Sequence, residues 1–138
     1  MSALFADTFY WIALADLTDS AHQRAMTLTA ERTDSLIVTT DEVLAEYLTF
    51  FATAPEQMRR KAVTNAQRIL ETLGCAWCRR AGNHFWQAWP FNGSRPDEGY
   101  SLTDCSSMQT TRKEGLSEVL TNDRHFEQEG FRALFRNS

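Results

Sequence analysis

Short apolar runs alternate along this chain with longer stretches that mix apolar and polar positions. Residues 3–6 ("ALFA") form a brief apolar run that ends at Asp7. "TFYWIALADL" follows, dense enough in aromatic and aliphatic residues to predict a mostly buried helix, with Thr8 as its candidate cap. "SAHQRAMTLTAER" continues as a second, more polar helix. "DSLIVTT" is a β-branched run between polar residues and reads as a buried strand. It leads directly into "TDEVLAEYLTFFA", a helix that either Thr40 or Asp41 can cap. The next helix lies in "APEQMRRKAVTNAQRILETLG", with Pro55 early and Gly74 at the stop. "RPDEGYSLTDCSSMQTTRKEG" is a loop and then a helix starting near Ser101 or Thr103. "LSEVLTND" reads as a further strand ending at an acid, and "HFEQEGFRALF" closes the chain. Helices alternating with short buried strands predict an α/β fold around a largely parallel sheet.

Composition narrows the class. The 138 residues suffice for one domain with a real core, predicted to span 1–138. With 43% apolar and 23% charged residues, neither a disordered chain nor a fibre is expected. No apolar run approaches the roughly 20 residues needed to span a bilayer, and no basic segment precedes an apolar stretch at the N-terminus. A cytoplasmic protein is expected. Cys75 and Cys78 form a C-x-x-C, but His22, His84 and His125 are scattered without ligand spacing, and Cys105 stands apart. A redox pair would need the motif at a helix start after a strand, whereas the preceding helix reaches almost to Gly74. Neither a zinc site nor a redox pair is favoured. The formal net charge of −4 argues at first against a nucleic-acid partner. Setting aside four carboxylates leaves a formally neutral remainder, and "MRRKA" and "CRR" are local basic patches.

Those acids are placed unusually. Asp7 and Asp123 each follow a predicted strand, so both are expected at one edge of a parallel sheet, where functional groups collect. Asp104, in the first turn of its helix, can face that edge. At about 100° per residue, Val43, Leu44, Tyr47, Leu48 and Phe51 fill one arc of their helix and Glu46 falls roughly 60° outside it. Glu46 is therefore a boundary carboxylate able to look over the rim of the core. Asp41 and Glu42 have a simpler role in the first helical turn, where acids offset the exposed N–H groups. Acids packed together without a cation repel, so convergence predicts either a hard divalent metal or raised carboxyl pKa values. Ser106 and Ser107 invite a serine-nucleophile reading, which lacks both a G-x-S-x-G elbow and a placed histidine base.

"FADTFYWIALAD", "TTDEVLAEYLTFF", "YSLTDCSSM" and "LTNDRHFEQEGFRAL" together resemble a PIN domain, nearest to the VapC-type toxin nucleases of bacterial toxin–antitoxin pairs. The blocks come in the family order and span nearly the whole chain. The resemblance implies a three-layer α/β/α fold with a central, mostly parallel sheet, and an endoribonuclease that uses water with Mg²⁺ or Mn²⁺. By position it implies Asp7, Glu46, Asp104 and Asp123 as the catalytic acids. Asp7, Asp104 and Asp123 are its implied metal ligands, Asp7 and Asp104 foremost, and Glu46 helps complete the site or orient water. Thr8 and Thr121 are placed to hydrogen-bond these carboxylates. RNA is the implied substrate, an antitoxin protein the implied partner, and self-association is expected. An RNA-processing nuclease without antitoxin, or a non-catalytic binding module, are the alternatives. "FYW" at 9–11 suits the core better than an interface. One segment departs from the family pattern: "CAWCRRAGNHFWQAWPFNG" carries three of the four tryptophans where a strand and an aliphatic helix are usual. This shift marks either a lineage-specific surface or a changed reading frame, which the nucleotide sequence distinguishes.

Overall fold

A computed structural model describes residues 2–72, 78–81 and 99–136. Cys75, His84, the Gly74 helix stop and nearly all of the divergent segment lie outside the described residues, so those expectations are not addressed by it. Five strands, β1 (Ala3–Ala6), β2 (Leu36–Thr39), β3 (Cys78–Arg80), β4 (Glu118–Leu120) and β5 (Arg132–Ala133), form one sheet in the order β3-β2-β1-β4-β5. Every pairing is parallel, with Phe5 beside Val38 on one side and Val119 on the other. Among the described residues the sheet is wholly parallel, and it is the central layer of an α/β/α fold. Parallel strands need crossovers, which the helices supply. These are α1 (Thr8–Ala15), α2 (His22–Glu31), α3 (Asp41–Phe50), α4 (Glu56–Thr72), α5 (Leu102–Lys113) and α6 (Arg124–Gln128) among the described residues.

Strand order creates the functional edge. From β1 the chain steps outward to β2 and β3, then returns to the other side of β1 with β4 and β5. The crevice beyond the carboxyl ends of β1 and β4 is therefore the switch point where ligands bind in open α/β sheets. Behind it, Leu4, Phe5, Val38, Val119 and Leu120 form the buried centre, with Tyr10, Tyr47, Met108 and Phe126 packed from the helices. Tyr10 and Trp11 belong to this core, and each ring satisfies its polar atom: the Tyr10 hydroxyl pairs with Thr29 Oγ1 and Trp11 Nε1 donates to Thr39 Oγ1. "FYW" is accordingly core-forming, with only Phe9 partly exposed.

Local details differ from the sequence reading. Thr8 does not cap α1; it is the first helical residue, and Asp7 occupies the cap position. Thr40, not Asp41, caps α3, its side chain accepting from the Val43 N–H. Leu48, assigned to the buried arc of α3, is 39% exposed; at about 100° per residue it stands at the far edge of that arc. The strand within "LSEVLTND" stops at Leu120, so Asp123 stands three residues beyond it and caps α6 instead, accepting from the His125 N–H.

Candidate active site

Each acid is delivered by a separate element. Asp7 follows directly after β1 and is only 7% exposed. An Asp at a helix start ordinarily caps its own helix, but the Asp7 side chain makes no capping bond. Instead Thr121, just past β4, donates its hydroxyl to Asp7 Oδ2 at 2.8 Å. The same Thr121 oxygen accepts the Asp123 N–H at 3.1 Å, so one hydroxyl sets the positions of two acids. Glu46 sits on the half-buried flank of α3, where Thr8 donates to its Oε1 at 2.6 Å. Asp104 is held by a reciprocal cap: Ser101 Oγ accepts the Asp104 N–H at 3.0 Å while Asp104 Oδ2 accepts the Ser101 N–H at 3.1 Å.

All four acids line one open cavity of about 390 Å³, together with Thr8, Phe9, Ile12, Phe50, Thr121 and Asn122. No Lys or Arg is among the described residues that line it. The electrostatic consequence is visible at Asp7, whose pKa is pushed up to about 7. Burial is the main cause; the Thr121 hydroxyl and the Thr8 backbone oppose it, and the charges of Asp104 and Glu46 add to it. The Asp104 pKa is raised as well, first by burial and then by the Asp123 charge, against the stabilising cap from Ser101. Both sides of the convergence argument are therefore present: acids drawn together, and carboxyls that resist ionising.

The donor chemistry fits a hard divalent cation. Carboxylate oxygens of Asp104 and Asp123 come within 4.8 Å of each other and of a His125 ring nitrogen, close enough to share an ion. Asp7 and Glu46 line the same cavity. In the sequence His125 shares no ligand spacing with the other two histidines. Its partner is the acid two residues earlier: His125 Nδ1 lies 3.3 Å from Asp123 Oδ1, an ion pair when the ring is protonated, and the ring packs edge-on against Tyr100 at 4.9 Å. Ser106 and Ser107 are each 1% exposed, sealed within α5 away from any substrate, which removes a serine nucleophile.

No protein-family model matches the chain. A search of curated proteins does find a relative, the 23S rRNA-specific endonuclease VapC20 of Mycobacterium tuberculosis, known from two strains. It is 26% identical over 136 residues, covering 93% of this chain and 95% of the relative. The crystal structure of M. tuberculosis VapC20, a sarcin–ricin-loop-cleaving toxin, superposes with a TM-score of 0.78 at 27% identity over the same shares of the two chains. The chain is VapC-like in sequence and in fold. The likeness covers the length of both proteins almost completely, so the comparison is not confined to a shared fragment.

Proposed function

We propose that this VapC-like chain is a metal-dependent endoribonuclease and the toxin of a toxin–antitoxin pair, with residues 1–138 forming one catalytic domain. The observation that carries the reading is the convergence of Asp7, Glu46, Asp104 and Asp123 on one cavity at the sheet's switch point. Asp7, Asp104 and Asp123 would hold Mg²⁺ or Mn²⁺, with His125 steadying Asp123. Bound there, such an ion supplies charge for the phosphate oxygens and lowers the pKa of an attacking water. The chain's own residues do the rest. Thr121 keeps Asp7 oriented and favours its ionised form. Thr8 fixes Glu46 at the rim, where its free oxygen can orient the incoming water. The Ser101 cap holds the Asp104 carboxylate at the helix start, facing the phosphate path. An anionic substrate enters an acidic cavity only when a cation bridges the two, which reconciles a chain of net charge −4 with RNA.

By likeness to VapC20, the sarcin–ricin loop of large-subunit ribosomal RNA is the first substrate to offer. An antitoxin protein that covers the cavity is the expected natural inhibitor, and a homodimer the expected assembly. The test is a cleavage panel of transfer RNAs and ribosomal stem-loops, including that loop, with Mn²⁺, Mg²⁺ or EDTA and an Asp104→Asn control. Discrete cuts that need the metal and vanish in the variant support the proposal. Intact RNA with folded, metal-supplied protein would leave a binding module in its place.

A further inference from the structure

The acid cavity has a second wall that the chemistry above leaves unused. Phe9, Ile12 and Phe50 line it beside the carboxylates, and Phe50 is 57% exposed. A phenylalanine so open to water forfeits much of its burial free energy unless something covers it. Its neighbours do not: Phe51 is buried and meets it at right angles, ring centroids 5.1 Å apart, bracing the ring without enclosing it. Phe9 is likewise braced from behind, edge-on to Phe135 at 4.9 Å.

Position on the helix ties the ring to the chemistry. Phe50 closes α3 exactly one helical step of four residues after Glu46. Residues so spaced share a face with Cβ atoms about 5–6 Å apart, so ring and carboxylate look into the same space. Among the described residues lining that space there is no cationic side chain to grip an RNA backbone. Beyond the phosphate that a bound cation would hold, a braced, solvent-open aromatic adds a second grip, because every nucleobase offers a face to stack on.

We propose that Phe50 is an RNA-binding residue that stacks on an unpaired nucleobase next to the scissile phosphate. This deepens the ribonuclease reading and rests on it. Phe9 and Ile12 continue the apolar wall beneath the stacked base, and a paired base, already stacked on both faces, cannot use it.

The probe is a short single-stranded RNA carrying one 2-aminopurine, whose fluorescence falls on stacking, titrated with the Asp104→Asn protein in excess Mn²⁺ so that the strand stays whole. Phe50→Ala in that background should weaken binding about tenfold or more and abolish the quench, while Phe50→Trp should keep both. In the active chain, Phe50→Ala should raise KM by a similar factor with kcat within about threefold, the signature of lost uniform binding. Because the side chain is exposed, the variant should unfold at the wild-type temperature, which confirms that the loss is local. Quench and affinity unchanged in Phe50→Ala would overturn the proposal. So would a variant that turns a dimer into a monomer while binding RNA normally, which would assign the ring to a second copy of the chain. A protein that shows the Phe50-dependent quench yet cuts no RNA would refute the nuclease reading and leave the stacking site standing.

Discussion

Asp7 sits almost fully buried beside two other acids, and its carboxyl answers with a pKa near 7 in place of 3.8. The folded state therefore keeps a proton that the unfolded chain has already released between about pH 4 and pH 7. Asp7's contribution to stability is greatest below that window and falls as pH rises through it, by on the order of 4 kcal/mol once fully ionised. Asp7→Asn removes the penalty. In EDTA at pH 8 the variant should melt at least about 5 °C above the wild type, and near pH 4 the two should agree within about 2 °C. Differential scanning fluorimetry across pH reads this directly; equal melting temperatures at pH 8 would contradict it. Thr121 works the other way. Its hydroxyl favours ionised Asp7, so Thr121→Val should weaken divalent-cation binding about tenfold, measured by calorimetric titration, while leaving the sheet intact.

Elements explain what the sequence revealed and what it hid. The 3.6-residue period of α3 is a local property, which is why the helical wheel placed Glu46 at the rim of the core, where the structure finds it. The start of α1 depended on where β1 lets go, one residue earlier than the Thr8 cap assumed, so Asp7 took the cap position and Thr8 became free to reach Glu46. His125 and Phe50 were missed for a related reason. Phe50 matters through the cavity it lines and His125 through the Asp104 and Asp123 carboxylates near its ring, and no spacing rule brings α5, α6 and the end of α3 together. The α5 cap is an element whose local and functional roles coincide. Ser101→Ala should cost about 1 kcal/mol of stability by denaturant titration. It should also lower kcat more than that loss alone implies, since Asp104 loses the N–H-to-hydroxyl bond that fixes its helix start. A kcat equal to wild type would show that the cap serves the helix only.

Across the whole molecule, the sheet order decides what the acids can do. A chain that stepped outward in one direction only would spread the ends of β1 and β4 apart; the return to the other side of β1 makes them neighbours, 114 residues apart in sequence yet joined by the Thr121–Asp7 hydrogen bond. The alternation of helices and strands made the parallel sheet legible, but the order of its strands was not, because pairing partners far apart in sequence leave no local mark. β3 was hidden further by its place in the segment of altered composition. The central claim, that four elements from across the chain build one cation site, is tested most directly by calorimetric titration of Mn²⁺ into the protein at pH 8, beside Asp7→Asn and Asp104→Asn. Saturable binding by the wild type, weakened tenfold or more in each variant, is the predicted result. Binding that is absent, or that persists undiminished in both variants, would contradict the site.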